Sequence, residues 1–302
     1  MIRKIIRFLR QISEIKDRVY NIQEAIGRIE TRQIQVYNSR NLLKSQFKVF
    51  SQWGEDGLIQ FLISNINFCN NKFIEFGVED YYECNTRFLL SNNKWSGLVI
   101  DADSKCIEKI KKDKIYWSSN LKAVNKFITK DNINSIIEEN GFAGEIGILS
   151  IDVDGNDYWI FKAINIVNPD LIIIEYNSLF GKTYPLTVPY DENFIRNKKH
   201  FSNMYYGASI CALNELASEK GYSLIASNNV GNNLFFLRNN LIGDIKKLTV
   251  EEAYTKSVFR ESKNKKGELT FEDFNESVKL ISNLELYNTL THKTVFLKDL
   301  NN

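Results

Sequence analysis

Short apolar runs alternate with stretches of helical periodicity between residues 54 and 176, and few folds accept that order. Runs at 72–78, 97–101, 122–129, 146–152 and 171–176 read as strands, bounded by turn-forming residues. Patterns at 54–63, 86–91, 104–111, 133–139 and 158–164 read as helices. Strands that alternate with helices build βαβ units and hence a parallel sheet. The runs are nearly unbroken rather than alternating, which suits strands covered on both faces. The expected fold is therefore α/β with a mostly parallel sheet. After the fifth strand a polar and aromatic stretch, 177–206, carries Pro185 and Pro189, and a loop of that length usually covers a substrate. A helix at 207–220 follows, then strand-like runs at 222–226 and 233–237, whose short Asn/Gly connection predicts an antiparallel pair.

The first forty-odd residues differ. Apolar residues fall at Ile5, Leu9, Ile12, Ile15, Val19, Ile22, Ile26 and Ile29, mostly at alternating steps of three and four, with one irregular step from Ile12 to Ile15. Three readings stand open: an oligomerising coiled coil, a long amphipathic helix packed on its own domain, and peripheral attachment of the basic first turns (Arg3, Lys4, Arg7, Arg10) to an anionic membrane. The expected organisation is an N-terminal helix over 1–45, a Rossmann-like domain over 46–242 and a mixed helical C-terminal extension over 243–302. The segment 262–268 (SKNKKGE) is expected to be exposed.

Composition excludes several classes. Thirty-nine basic against 37 acidic residues give a net charge of +2, so no field points to nucleic acid. Cys69, Cys84, Cys106 and Cys211 form no CxxC pair, and with two histidines no multi-histidine metal site is available within the chain. Free thiols, with no long apolar span and no signal-like run, point to a cytoplasmic protein.

In an open parallel sheet, ligands bind beyond the carboxyl ends of the strands, so the residues that end each run are the candidates. The first run ends in FIEFGVED, where the lone Gly77 permits close backbone approach between Glu75 and Glu79. A pyrophosphate cofactor wants the three glycines of GxGxxG. S-adenosylmethionine has an ammonium, a carboxylate and a sulfonium instead, and acids near the turn suit it. The second run ends in Asp101, followed by Ala102. Asp101 is placed either to hold ribose hydroxyls or to cap the next helix. The fourth ends in SIDVDGND and the fifth in IEYNS, so Asp152, Asp154, Asp157 and Glu175 converge on one edge. Converging carboxylates want a cation, a proton or a basic substrate, and oxygen-only donors select magnesium or manganese. Such an ion would bind and acidify a sugar hydroxyl. Asp154 and Asp157 are alternatively helix caps around a Gly155 turn. His200, in the long loop beside Lys198 and Lys199, is either a general base or a surface histidine. Two other readings of Asp152-x-Asp154 are a metal-dependent glycosyltransferase and, less compatible with Asn156 and a fourth-strand position, a phosphatase. A non-enzymatic scaffold in glycan assembly is the third.

The ordered series SQWGEDG (51–57), FIEFGVED (73–80), CNTRFLL (84–90), WSGLVID (95–101), LSIDVDGNDYWIFKAI (149–164), IIIEYN (172–177), YYGAS (205–209) and GNNLFFLRN (231–239) resembles an FkbM-related group of methyltransferases of bacterial polysaccharide and capsule genes. The likeness spans about residues 50–240. It implies a Rossmann-like class I methyltransferase fold, S-adenosylmethionine as donor and a sugar hydroxyl, free or nucleotide-linked, as acceptor. By position it implies that Gln52, Gly54 and Asp56 lie near the methionine end of the cofactor, Glu75 and Gly77 form the first turn, and Asp101 holds the ribose. It also implies that Asp152 or Asp154, with Glu175, hold the metal; Asp154 and His200 are then the candidates for catalysis. The expected partners are a sugar or nucleotide sugar and further copies of the chain, joined through the N-terminal helix. The glycine-rich first motif usual in class I enzymes is reduced here to Gly77.

Overall fold

The computed structural model describes residues 2–37 and 41–300; for residues 2–13, 16, 17 and 37 it describes the backbone alone. The chain starts with helix α1 (Ile2–Tyr37) and α2 (Glu55–Asn65). Strand β1 (Lys72–Phe76) and β2 (Ser96–Asp101) precede α3 (Ser104–Lys112), α4 (Lys114–Ser118) and β3 (Leu121–Asn125). The second half of the sheet runs through α5 (Ile133–Glu139), β4 (Gly144–Ile151), α6 (Asp157–Ala163) and β5 (Val167–Glu175). Then follow β6 (Leu186–Thr187), α7 (Arg196–Lys199), α8 (Ile210–Glu219), β7 (Tyr222–Ser227) and β8 (Asn233–Arg238). The chain closes with α9 (Val250–Ala253), α10 (Phe274–Ile281), β9 (Glu285–Asn288) and β10 (Lys293–Phe296).

The expected Rossmann-like α/β architecture is what the chain forms. Seven strands lie in the order β3-β2-β1-β4-β5-β8-β7. The pairs β1–β2, β2–β3, β1–β4 and β4–β5 are parallel, whereas β8 runs antiparallel to both β5 and β7. The chain moves outward from β1 to β3, then returns to place β4 on the other side of β1. That reversal makes a switch point, where the loops after β1 and β4 diverge and leave a crevice.

Alternate residues of each strand feed two separate cores, as the pleat requires. Ile74 and Phe76 of β1, Leu149 and Ile151 of β4, and Ile172 and Ile174 of β5 pack on one face with α5, α6 and α8. Phe73, Ile148, Leu171 and Ile173 pack on the other with α2 and α3. Each such side chain is almost fully buried and contributes roughly 1.5–3 kcal/mol. Burial on both faces is why the strands read as continuous apolar runs.

Several boundaries differ from the sequence reading. The third strand ends at Asn125, because Asn125 Nδ2 donates to the carbonyls of Asp101 and Ala102 and turns the chain; Phe127 is left exposed. The pattern at 86–91 gives a single π turn, Leu89–Asn93, ended by Lys94 in the left-handed region. The segment 262–268 is anchored at its start: Ser262 is buried, its Oγ pairs with Thr270 Oγ1 and accepts from the Glu272 amide. The C-terminal extension also holds strands. A second sheet, β10-β9-β6, joins it to the long loop, and one apolar cluster covers both: Phe180, Leu186, Tyr205 and Tyr206 pack with Ile281, Leu286 and Leu297.

The α1 helix lies on the domain by one face. Gly27 sits against Val49 and Phe88 with no room for a Cβ. Tyr20 packs on Phe50 and Tyr82, and Gln23 donates to the Val49 carbonyl. Of the expected seam, Ile5, Leu9 and Ile12 fall among the residues whose side chains lie outside the description, while Ile15, Val19, Ile22, Ile26 and Ile29 are exposed. Among the described residues no helix is long and apolar enough to cross a membrane.

Candidate functional site

A cleft of about 970 Å³ opens at the carboxyl ends of β1, β2, β4 and β5. Its first half is built by the two loops after β1 and β2. Gly77 has φ +68°, and a Cβ there would stand 1.6 Å from the Asp152 carbonyl oxygen, so only glycine lets the first turn lie against the end of β4. Asp101 accepts from the amides of Glu79 and Asp103, 2.8 Å each, and so clamps both loops. The cap of α3 is Asp103 rather than Asp101, since its side chain accepts from Lys105 N. Ala102 and Phe127 complete this side of the cleft.

Glu75 lies at the floor, buried at the end of β1. It accepts from the Asn85 and Thr86 amides and from the Thr86 hydroxyl. Burial nevertheless outweighs those bonds and pushes its carboxyl up to about 7.

The other half gathers acids. Asp152, Asp154 and Glu175 bring one carboxylate oxygen each within 4.8 Å of one another. Burial and the mutual charges of this group hold both Asp152 and Glu175 well above the usual carboxylate range. Glu175 Oε2 is buried and lacks a hydrogen-bond partner. Asp154, in the left-handed region at φ +55°, is the exposed member. Asp157 lies behind the group. It is the first residue of α6, and its carboxylate ties down the preceding turn by accepting from the Val153 and Gly155 amides at 2.8 and 3.0 Å.

The counter-charge is a residue that the sequence did not flag. Arg196, at the start of α7, lies 3.6 Å over the Tyr206 ring and donates to Asp154 Oδ1 at 2.9 Å, to Glu261 and to the Asn203 carbonyl. Glu261 comes from the C-terminal extension, as does Phe259, which stacks on Trp53 with ring centroids 6.5 Å apart. Both line the cleft, so the extension forms one of its walls. No local pattern signals these contacts, which reach as far along the chain as from Trp53 to Phe259.

Of the expected site residues, Gln52, Glu75, Gly77, Asp101, Ala102, Asp152, Asp154 and Glu175 line the cleft. Gly54, Asp56 and His200 do not line it. Gly54 is the residue just before α2 and packs on Gln46. Asp56 is buried and its Oδ2 accepts three successive amides, from Val49, Phe50 and Ser51, each at 2.7 Å, so the carboxylate serves its own loop. His200 ends α7 with Nδ1 bonded to Ser202 Oγ at 2.7 Å and its ring against Phe201. Burial lowers its pKa.

No family model matches the chain, and no curated protein sequence matches it. Solved structures do match. The N-terminal domain of EvdMO1 with SAH bound gives a TM-score of 0.41 at 11% identity, over 68% of this chain and 94% of that one. A putative O-methyltransferase from Klebsiella pneumoniae gives 0.38 at 14%, over 56% and 74%. An O-methyltransferase from Bacillus cereus in complex with SAH gives 0.37 at 16%, again over 56% and 74%.

Proposed function

We propose that the protein is an S-adenosylmethionine-dependent O-methyltransferase that acts on a sugar hydroxyl, free, nucleotide-linked or within a glycan. One observation carries the reading: the loops at Gly77 and Asp101 and the acidic trio line a single cleft at the switch point. The first half suits a nucleoside without a pyrophosphate, because the loop has one glycine and is flanked by acids. Asp101 offers two carboxylate oxygens to the ribose hydroxyls, and Glu75 and Glu79 suit the ammonium of the methionine moiety. The second half suits a neutral polyol, because carboxylates accept from several hydroxyls at once.

Held at Glu75, Gly77 and Asp101, S-adenosylmethionine would supply its methyl group to the acceptor oxygen, a C–O bond replacing the C–S bond as a neutral thioether leaves, and Asp154 at the solvent edge would take the hydroxyl proton. Holding the two reactants aligned is the main catalytic lever. The donor set at the trio is all oxygen, and Glu175 Oε2 has no partner, so the residues fit a magnesium- or manganese-sized ion held by Asp152, Asp154 and Glu175. Such an ion supplies Lewis acidity to the acceptor hydroxyl. Arg196, itself part of the cleft lining, holds Asp154 by an ion pair and offsets part of the charge.

Calorimetry separates this reading from a glycosyltransferase. S-adenosylhomocysteine is expected to bind, and Asp101→Ala to weaken it at least about tenfold, the value of one charge-assisted hydrogen bond. Tight binding of a nucleoside-diphosphate sugar with no heat from S-adenosylhomocysteine would overturn it.

A further inference from the structure

The α1 helix presents a second apolar face that its own domain does not cover. Ile15, Val19, Ile22, Ile26, Ile29 and Val36 are 46–77% exposed. At 100° per residue their stripe lies about 130° around the helix from Tyr20, Gln23, Gly27, Thr31 and Ile34, the residues turned to the domain. The anchored face thus fixes the helix while the stripe points away from the domain.

The stripe advances by four, three, four and three residues, then by seven to Val36. A repeat of seven drifts by about 20° per heptad round a straight helix. Over the three heptads from Ile15 to Val36 the stripe swings by about 60°, a drift that a partner helix winding with it follows throughout. In this register Val19, Ile26 and Gln33 occupy one core position, and Ile15, Ile22, Ile29 and Val36 the other. The sequence continues the first series back to Ile12 and Ile5.

We infer that α1 pairs with α1 of further copies of this chain in a parallel, in-register coiled coil. Gln33 decides the direction: in register it meets its own counterpart and the two amides satisfy each other, whereas an antiparallel pairing sets it against Ile15. The flanking charges agree. Across a parallel seam Ala25 meets Glu30 of the next copy, and Gln23, held by the Val49 carbonyl of its own domain, sets no like charge against Arg18. The domains are attached on the side away from the seam, which leaves the helices free to meet. β-branched residues at both core positions favour three or four strands over two.

Light scattering on the full chain tests this. At micromolar concentration a mass of two or more 35.1 kDa chains is expected, and Ile22→Asp with Ile26→Asp is expected to return a single-chain mass with an unchanged melting temperature. A single-chain mass for the unaltered protein overturns the inference, as does a double variant that keeps the unaltered protein's mass. Flotation of the single chain with phosphatidylserine vesicles would assign the stripe to a membrane instead. Gln33→Ala is expected to leave the protein folded but to loosen the register, read as a mixture of masses; an unchanged single assembly rejects the parallel assignment.

Discussion

Gly77 meets the carbonyl of Asp152 so closely that no side chain fits between them. The contact ties the loop after β1 to the end of β4, and with it the two halves of the cleft. Gly77→Ala would add both a clash with backbone and a strained positive φ. It is expected to cost at least about 3 kcal/mol in urea unfolding, together with loss of S-adenosylhomocysteine binding. A variant within about 1 kcal/mol of the unaltered protein would show that the turn can move away.

Glu75 makes stability depend on pH. Its folded pKa, about 7, lies above the ordinary 4.5, so the folded chain holds a proton that the unfolded chain gives up. Its contribution is complete below the unfolded value and is lost as pH rises towards the folded one. The loss is about 3 kcal/mol across that window. Urea midpoints measured through the window should fall with pH in the unaltered protein, and Glu75→Gln should remove this part of the slope. Equal slopes in the two proteins would place the proton elsewhere.

Removal of a divalent ion is expected to reduce methyl transfer by at least about a hundredfold, the scale of losing several kcal/mol of charge stabilisation. Magnesium or manganese should restore it, and Asp152→Ala should not respond to either. The same rate with EDTA present would assign the trio to direct hydrogen bonding of the acceptor.

Arg238 is paired with Asp170 at 2.6 Å and Glu145 at 2.8 Å, at the end of the sheet away from the cleft. Asp170 is 2% exposed. Arg238→Ala would leave a buried carboxylate without its cation and should cost about 3 kcal/mol by urea unfolding, with cofactor binding retained. A cost below about 1 kcal/mol would mean that the Cys69 amide, 2.5 Å from Asp170, suffices alone.

The strands were legible because burial on both faces leaves no polar alternation to confuse them, and Gly77, Asp101, Asp152 and Glu175 were legible because they end those strands. The loop that Asp56 gathers was not, because nothing in a string of letters shows one carboxylate accepting three successive amides. Arg196, Phe259 and Glu261 were hidden for another reason. They reach the cleft by long-range packing of the loop against the C-terminal extension, and nothing in their neighbours marks them. His200 attracted notice by residue type alone, and its partner is the nearby Ser202.

The wall formed by Phe259 and Glu261 has a further consequence for how such a chain can change over generations. The loops at Gly77 and Asp101 lie in the first half of the chain, whereas Phe259 and Glu261 lie near its end. Substitutions at Phe259 and Glu261 can therefore reshape the cleft while the loops at Gly77 and Asp101 stay as they are.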